Sequence, residues 1–142
     1  MGKRAITGFG IVLLLVFVIT VFFYLNFNTV VVSGKSMLPT FHDKQRLLAS
    51  RAYWLVGAIR DKDIVVIKGD EPKEYFIKRV YKMEGELVDF ANVPETWSIA
   101  NGEYRVPKGS IYVLGDNREV SEDSRKYGAV PLDRVLGKIV TY

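Results

Sequence analysis

The stretch Ser33-Gly34-Lys35-Ser36-Met37-Leu38-Pro39-Thr40 sets a serine in a tight, proline-bearing segment just beyond a long apolar run. A serine hydroxyl is a weak nucleophile until a neighbouring base takes its proton. One candidate base is His42, the chain's one histidine, but it lies in the polar run His42-Asp43-Lys44 and reads as a surface residue. The other is Lys78, inside Tyr75-Phe76-Ile77-Lys78-Arg79-Val80-Tyr81. Strand alternation there puts Phe76, Lys78 and Val80 on one face and Tyr75, Ile77, Arg79 and Tyr81 on the other. A lysine between Phe and Val is expected to be dry, and desolvation disfavours its ammonium form. A neutral amine could take the Ser36 proton, as in serine–lysine variants of the catalytic triad. Spacing alone leaves open the plainer alternative, a lysine snorkelling from a sheet edge. Gly34-Lys35-Ser36 also matches the end of a phosphate-binding loop. That motif needs a glycine where Thr29 stands and a helix after the serine, so nucleotide binding is set aside.

A spanning segment precedes this serine. Gly8 to Leu25 is apolar apart from glycines, one Thr and one Tyr, and about 17–25 such residues cross a bilayer as a helix. Lys3 and Arg4 flank its start, and residues 5–34 carry no charge. The positive-inside rule predicts a cytoplasmic N-terminus and an extracytoplasmic remainder. A cleaved secretory signal is the rival reading. Its apolar core is shorter, and a cut after Val32-Ser33-Gly34 would fall inside the serine motif. The expected organisation is a short cytoplasmic tail and anchor over 1–27, then an extracytoplasmic domain over 28–142.

The exposed part is expected to be mainly β, a compact domain of packed antiparallel sheets. Strands are predicted at Thr29–Ser33, Gln45–Ser50, Asp63–Lys68, Tyr75–Lys82, Glu86–Phe90, Ser110–Leu114 and Gly137–Thr141. Asn101-Gly102 is expected to turn a hairpin between Trp97–Ala100 and Glu103–Val106. The run Tyr53–Ile59, bracketed by Arg51 and Arg60-Asp61-Lys62, is either core or a loop that dips into lipid.

Composition narrows the function classes. At 142 residues there is room for one small domain beside the membrane segment. Lys3 and Arg4 account for half of the net charge of +4, so the domain is nearly balanced and offers no stripe for nucleic acid. With no cysteine, disulfides, thiolate metal sites and cysteine nucleophiles are all excluded.

Four segments, Ser33–Thr40, Asp63–Ile67, Ile77–Val80 and Gly115–Gly128, resemble in order the boxes of bacterial type I signal peptidases (leader peptidases), in the compact form common in Gram-positive bacteria. The most specific is Gly115-Asp116-Asn117-Arg118, then Ser121, Asp123-Ser124-Arg125, Gly128 and Val130-Pro131. The resemblance implies Ser36 as nucleophile and Lys78 as general base. It implies Ser121 as the serine that orients the lysine amine, and Asp123 with Arg125 as a supporting ion pair. Met37 and Gly34 would belong to the substrate pocket, and the Ser36 N–H would serve the oxyanion. Gly34 stands where some members carry a hydroxyl donor. Lys62 and Tyr81-Lys82-Met83-Glu84 depart from the family's usual glycine and Gly-Leu-Pro-type turn. The implied activity is removal of signal peptides from secreted preproteins after small residues, with no cofactor and no metal. The implied partners are those signal peptides, membrane lipid and the secretion translocon. Two alternatives are a peptidase dedicated to pilin-type precursors and a non-catalytic paralogue assisting assembly of secreted precursors.

Overall fold

The computed structural model describes residues 3–140. The first two residues of the predicted tail, the side chains of Lys3 and Arg4, and the predicted strand end at Thr141 lie outside the described part. Helix α1 runs from Lys3 to Asn26, which at 1.5 Å per residue is about 36 Å, enough to cross a bilayer core. Most of its described apolar side chains, such as Phe9 at 67% and Leu14 at 61% exposure, are left bare; Phe22, near its end, packs on Phe27 and Trp54. A helix this apolar and this bare is long and greasy enough to sit in lipid. Asn26 Nδ2 donates back to the Phe22 carbonyl at 2.9 Å, and the Asn26 carbonyl, one of those a helix terminus leaves open, accepts from the Arg51 N–H at 3.0 Å.

Strand β1 (Phe27–Val31) follows without a linker and forms a hairpin with β2 (Arg46–Ser50), in register from Phe27↔Ser50 to Val31↔Arg46. The remaining strands are β3 (Ile64–Lys68), β4 (Tyr75–Lys82), β5 (Leu87–Val88), β6 (Tyr104–Arg105), β7 (Ser110–Leu114), β8 (Val130–Pro131) and β9 (Val135–Ile139). All their pairings are antiparallel, in a seven-stranded sheet ordered β1-β2-β9-β3-β4-β7-β8 and a two-stranded one, β5-β6. The late strand β9 thus lies between β2 and β3 and joins the first hairpin to the rest. Ile64 to Ile67 are buried without alternation, because apolar clusters cover both faces of β3. On one side Met37, Phe41, Leu47, Ile64, Val66 and Ile77 pack together. On the other are Val65, Ile67, Val80, Ile111 and Val113.

Two strands, Tyr75–Lys82 and Ser110–Leu114, have the predicted ends. The predicted hairpin about Asn101-Gly102 is overturned. Residues Ile99–Asn101 coil into a 3-10 turn, and β6 pairs with β5, Val88 facing Tyr104. Aromatic packing accounts for this. The Trp97 ring meets Tyr104 edge-on at 5.1 Å, and Tyr104 meets Tyr112 at 5.7 Å, while Trp97 Nε1 donates to the Gly102 carbonyl at 3.1 Å. Turning Trp97 into a ladder partner would strip it from that stack. Glu86–Phe90 contracts to Leu87–Val88, the last strand begins at Val135 instead of Gly137, and β8 had no prediction. Tyr53–Val56 forms a single helical turn, α2.

Phe41, fully buried beneath the loop that carries Ser36, holds that loop to the core. Phe41→Ala should cost about 3–5 kcal/mol, measured by denaturant unfolding of the full chain in detergent micelles.

Candidate active site

Ser36 lies in the connection between β1 and β2. Its first residues prolong the ladder, with the Val32 N–H donating to Gln45 O at 2.9 Å and the Lys44 N–H to Val32 O at 2.8 Å. Then Gly34 turns the chain at φ +87°, a left-handed conformation that suits glycine, and its N–H donates to Asp43 Oδ1 at 2.8 Å. Met37 is driven into the core, 1% exposed, which leaves the neighbouring Ser36 half-buried at the surface of the loop. From the far side the loop after β7 grips this segment. The Asn117 N–H donates to Ser36 O at 2.9 Å and its side-chain amide to Lys35 O at 3.2 Å.

Lys78 is 3% exposed. It pairs with Val65 across the β3–β4 ladder and precedes Arg79, which faces Leu114 on β7. Phe76, expected to help bury it, is itself 39% exposed; Val65 and Val80 on the same face lie in the core instead. Lys78 and Ser36 line one cavity of about 40 Å³, with Val32, Met37, Phe76 and Ile77 among its walls. Burial pushes the Lys78 amine below the usual lysine value of 10.5; the Asp123 and Glu122 charges oppose this, and Arg125 adds to it. The snorkelling alternative does not describe so deeply buried a side chain.

Asp123 is 0% exposed. Burial would push its carboxyl up, but the Arg125 hydrogen bonds and the Gly115 N–H outweigh that and hold it below the ordinary carboxylate value. Arg125 Nε donates to Oδ1 at 2.9 Å and Nη2 to Oδ2 at 3.0 Å, and the Gly115 N–H donates to Oδ2 at 2.9 Å. Asp123 also caps the short helix α3 (Ser124–Tyr127). Ser121 Oγ is buried without a hydrogen-bond partner; it lies near the Asp123 carboxylate but short of hydrogen-bonding geometry. Gly115 locks these pieces together. A Cβ there would collide with Ser121 Oγ and stand 2.7 Å from the Ser36 carbonyl oxygen.

Every site residue named from the sequence falls in this region. His42 is exposed. A second fork had no sequence prediction. Arg79 Nε and Nη2 bind Asp116 Oδ1 and Oδ2 at 2.8 and 2.7 Å, and Thr40 Oγ1 donates to Asp116 Oδ2 at 2.5 Å. This fork ties the serine loop to β4 and β7. The only signal in the sequence was a pair of opposite charges inside two of the boxes, which does not reveal that they meet.

The family model described as "Signal peptidase, peptidase S26" matches residues 3–95 and 92–142. The chain belongs to this family. As an S26 peptidase it is a serine-type hydrolase. It is 33% identical to signal peptidase I of Bacillus amyloliquefaciens over 78% of this chain and 70% of that protein. To signal peptidase I of Bacillus caldolyticus it is also 33% identical, over 80% and 77% of the two chains. To signal peptidase IB of Staphylococcus aureus it is 29% identical, over 76% and 73%. A crystal structure of a signal peptidase I from Enterococcus faecalis aligns over 58% of this chain and 97% of that one, with 23% identity and a TM-score of 0.46.

Two outcomes test the geometry of this S26 peptidase. Gly115→Ala should lower stability by about 1–3 kcal/mol through overpacking and reduce kcat at least tenfold, as seen by unfolding and steady-state kinetics. If Lys78 is the base, kcat/KM rises with pH as its ammonium loses a proton, and the acid limb lies below 10.5. The Glu122 charge favours the ammonium, so Glu122→Gln should move that limb to lower pH in a pH–rate profile.

Proposed function

We propose that this chain is a membrane-anchored signal peptidase I, in which Ser36 attacks the scissile carbonyl and Lys78 serves as general base. The observation that carries this reading is the placement of a buried, proton-shedding amine and Ser36 on one small cavity. Neutral Lys78 takes the Ser36 proton as Oγ bonds to the carbonyl carbon, giving a tetrahedral oxyanion beside the Ser36 N–H. Collapse breaks the C–N bond, and the Lys78 ammonium returns the proton to the departing amine. Lys78 then takes a proton from a water that attacks the acyl ester; the C–Oγ bond breaks and the ammonium returns that proton to Ser36 Oγ. We assign to Ser121, whose hydroxyl is unspent, the role of holding the lysine amine through both transfers, and to the Asp123–Arg125 pair that of bracing the chain around it.

Substrate choice follows from size. A cavity of about 40 Å³ has room for a few waters at most. So small a space favours an alanine methyl group over a leucine side chain. That supports cleavage after small residues, the signature of a signal-peptide cut. The proposed domain boundary, after residue 27, lies one residue past the junction of α1, which ends at Asn26, with β1, which begins at Phe27. Lys3 and Arg4 favour a cytoplasmic N-terminus, which leaves residues 28–142 outside, where preproteins emerge from the translocon. Trp54, 77% exposed, packs on Phe22 of α1 at 5.7 Å between ring centroids; this supports lipid contact by the Tyr53–Val56 turn.

With the full chain in proteoliposomes and a model preprotein, Ser36→Ala and Lys78→Ala should each reduce cleavage about a thousandfold or more while unfolding remains cooperative. Leucine in place of alanine at the scissile position should block the wild-type enzyme. Efficient processing by Lys78→Ala protein would sink the assignment.

A further inference from the structure

The first strand of the sheet has an open side. Val32 turns its N–H and C=O toward the β2 side, bonding Gln45 and Lys44. By the alternation of an antiparallel ladder, Val31 directs both of its backbone groups outward, away from β2. An unpaired edge such as this is where an extended peptide adds a strand. In this structure the position is taken. Tyr75, the first residue of β4, reaches across so that its hydroxyl donates to Val31 O at 3.0 Å and accepts from the Val31 N–H at 3.1 Å. One phenol thus satisfies both groups that an incoming peptide would pair with.

Its position strengthens the point. Tyr75 lines the 40 Å³ cavity that holds Ser36 and Lys78. It also lines a larger one of about 570 Å³, walled by Tyr24 and Leu25 at the end of α1 and by Thr29, Val30 and Leu136. It stands between the two. A peptide that enters from the membrane-helix end and threads toward Ser36 along β1 must pass it. The ring itself packs against the core beside Val30, so the hydroxyl, not the ring, is the part free to let go.

We infer that Tyr75 is a latch: its hydroxyl competes with the substrate main chain for Val31, and substrate binds by displacing it. The latch sets a threshold for the enzyme. Apparent affinity is the intrinsic affinity reduced by the fraction of molecules whose edge is open. Peptides that make a full run of main-chain bonds on both sides of Val31 release it, whereas short or kinked ones do not. This inference rests on the proposed function, because it takes the cleft beside Ser36 as the one that holds the substrate.

The test uses the full chain in detergent micelles. Tyr75→Phe keeps the ring and removes the competing hydroxyl. It should lower KM for a signal-peptide-derived substrate by about threefold to tenfold, with the gain in KM and not in kcat. In an inactive Ser36→Ala background the same change should tighten binding of the labelled peptide by a like factor, read by fluorescence anisotropy. If the hydroxyl merely braces β1, Tyr75→Phe will lower thermal stability and leave binding equal or weaker, and the latch is overturned alone. If Ser36→Ala still cleaves, the catalytic reading is overturned and the latch with it.

Discussion

On the proposed mechanism Lys78 must be kept dry without being captured by a carboxylate, and this structure has to place it near one. Asp123 is wholly buried, and its charge acts on Lys78 in the direction opposite to burial. Left alone, a buried carboxylate of this kind would hold the ammonium and suppress the base. The Arg125 fork and the Gly115 N–H consume its lone pairs first. The carboxylate is thereby both charged and occupied, a condition that charge-assisted, two-pronged bonding secures better than packing could. The dense polar run from Gly115 to Arg125 then sets the Arg125 charge against that of Asp123, and burial remains the largest influence on Lys78.

The loop of the proposed nucleophile faces a different demand. Residues 32–45 include no strand or helix, yet Ser36 must hold still against a rigid sheet. The loop's bonds go to its own Asp43 and to the segment after β7, which also grips β4. Asp43 holds Gly34 from within the loop, Asn117 holds the main chain at Lys35 and Ser36, and Asp116 joins Thr40 to Arg79. The Arg79–Asp116 pair is only partly exposed, at 29% and 17%, so water screens it less than it would a surface pair. Lys78 and Arg79 are neighbours with opposite surroundings: the first is buried and lines the cavity with Ser36, the second pairs its charge with Asp116 and holds the loop.

Much of this could be read before any coordinates. Tyr75–Lys82 and Ser110–Leu114 announce themselves because each is a run of strand formers between turn residues, and alternation alone placed Lys78 beside Val80. The burial of Lys78 was foreseen for a partly mistaken reason, since Phe76 is half in solvent and the core on that face comes from β3 and β7. The Asn101-Gly102 hairpin failed because a two-residue turn signal is local, whereas the competing Trp97–Tyr104–Tyr112 stack is assembled by tertiary packing. β8 was missed because two residues, one of them a proline, carry no periodicity. The Tyr75–Val31 pairing was out of reach altogether. Its partners are 44 residues apart, and one of them is main chain, whose bonding leaves no mark on residue type. The roles of Ser121, Asp123 and Arg125 came from family resemblance, not from spacing.

The insertion of β9 between β2 and β3 has a consequence for the newborn protein. The hairpin that bears the hydroxyl and the ribbon that bears the amine are not neighbours in the sheet; residues 135–139 are the tongue that joins them. Such far-flung pairing is slow to form, since a long loop must close before any reward arrives. A chain still being threaded out of the ribosome therefore owns both reactive groups but no continuous scaffold to aim them. If Ser36 and Lys78 act as proposed, cleavage awaits the completed sheet.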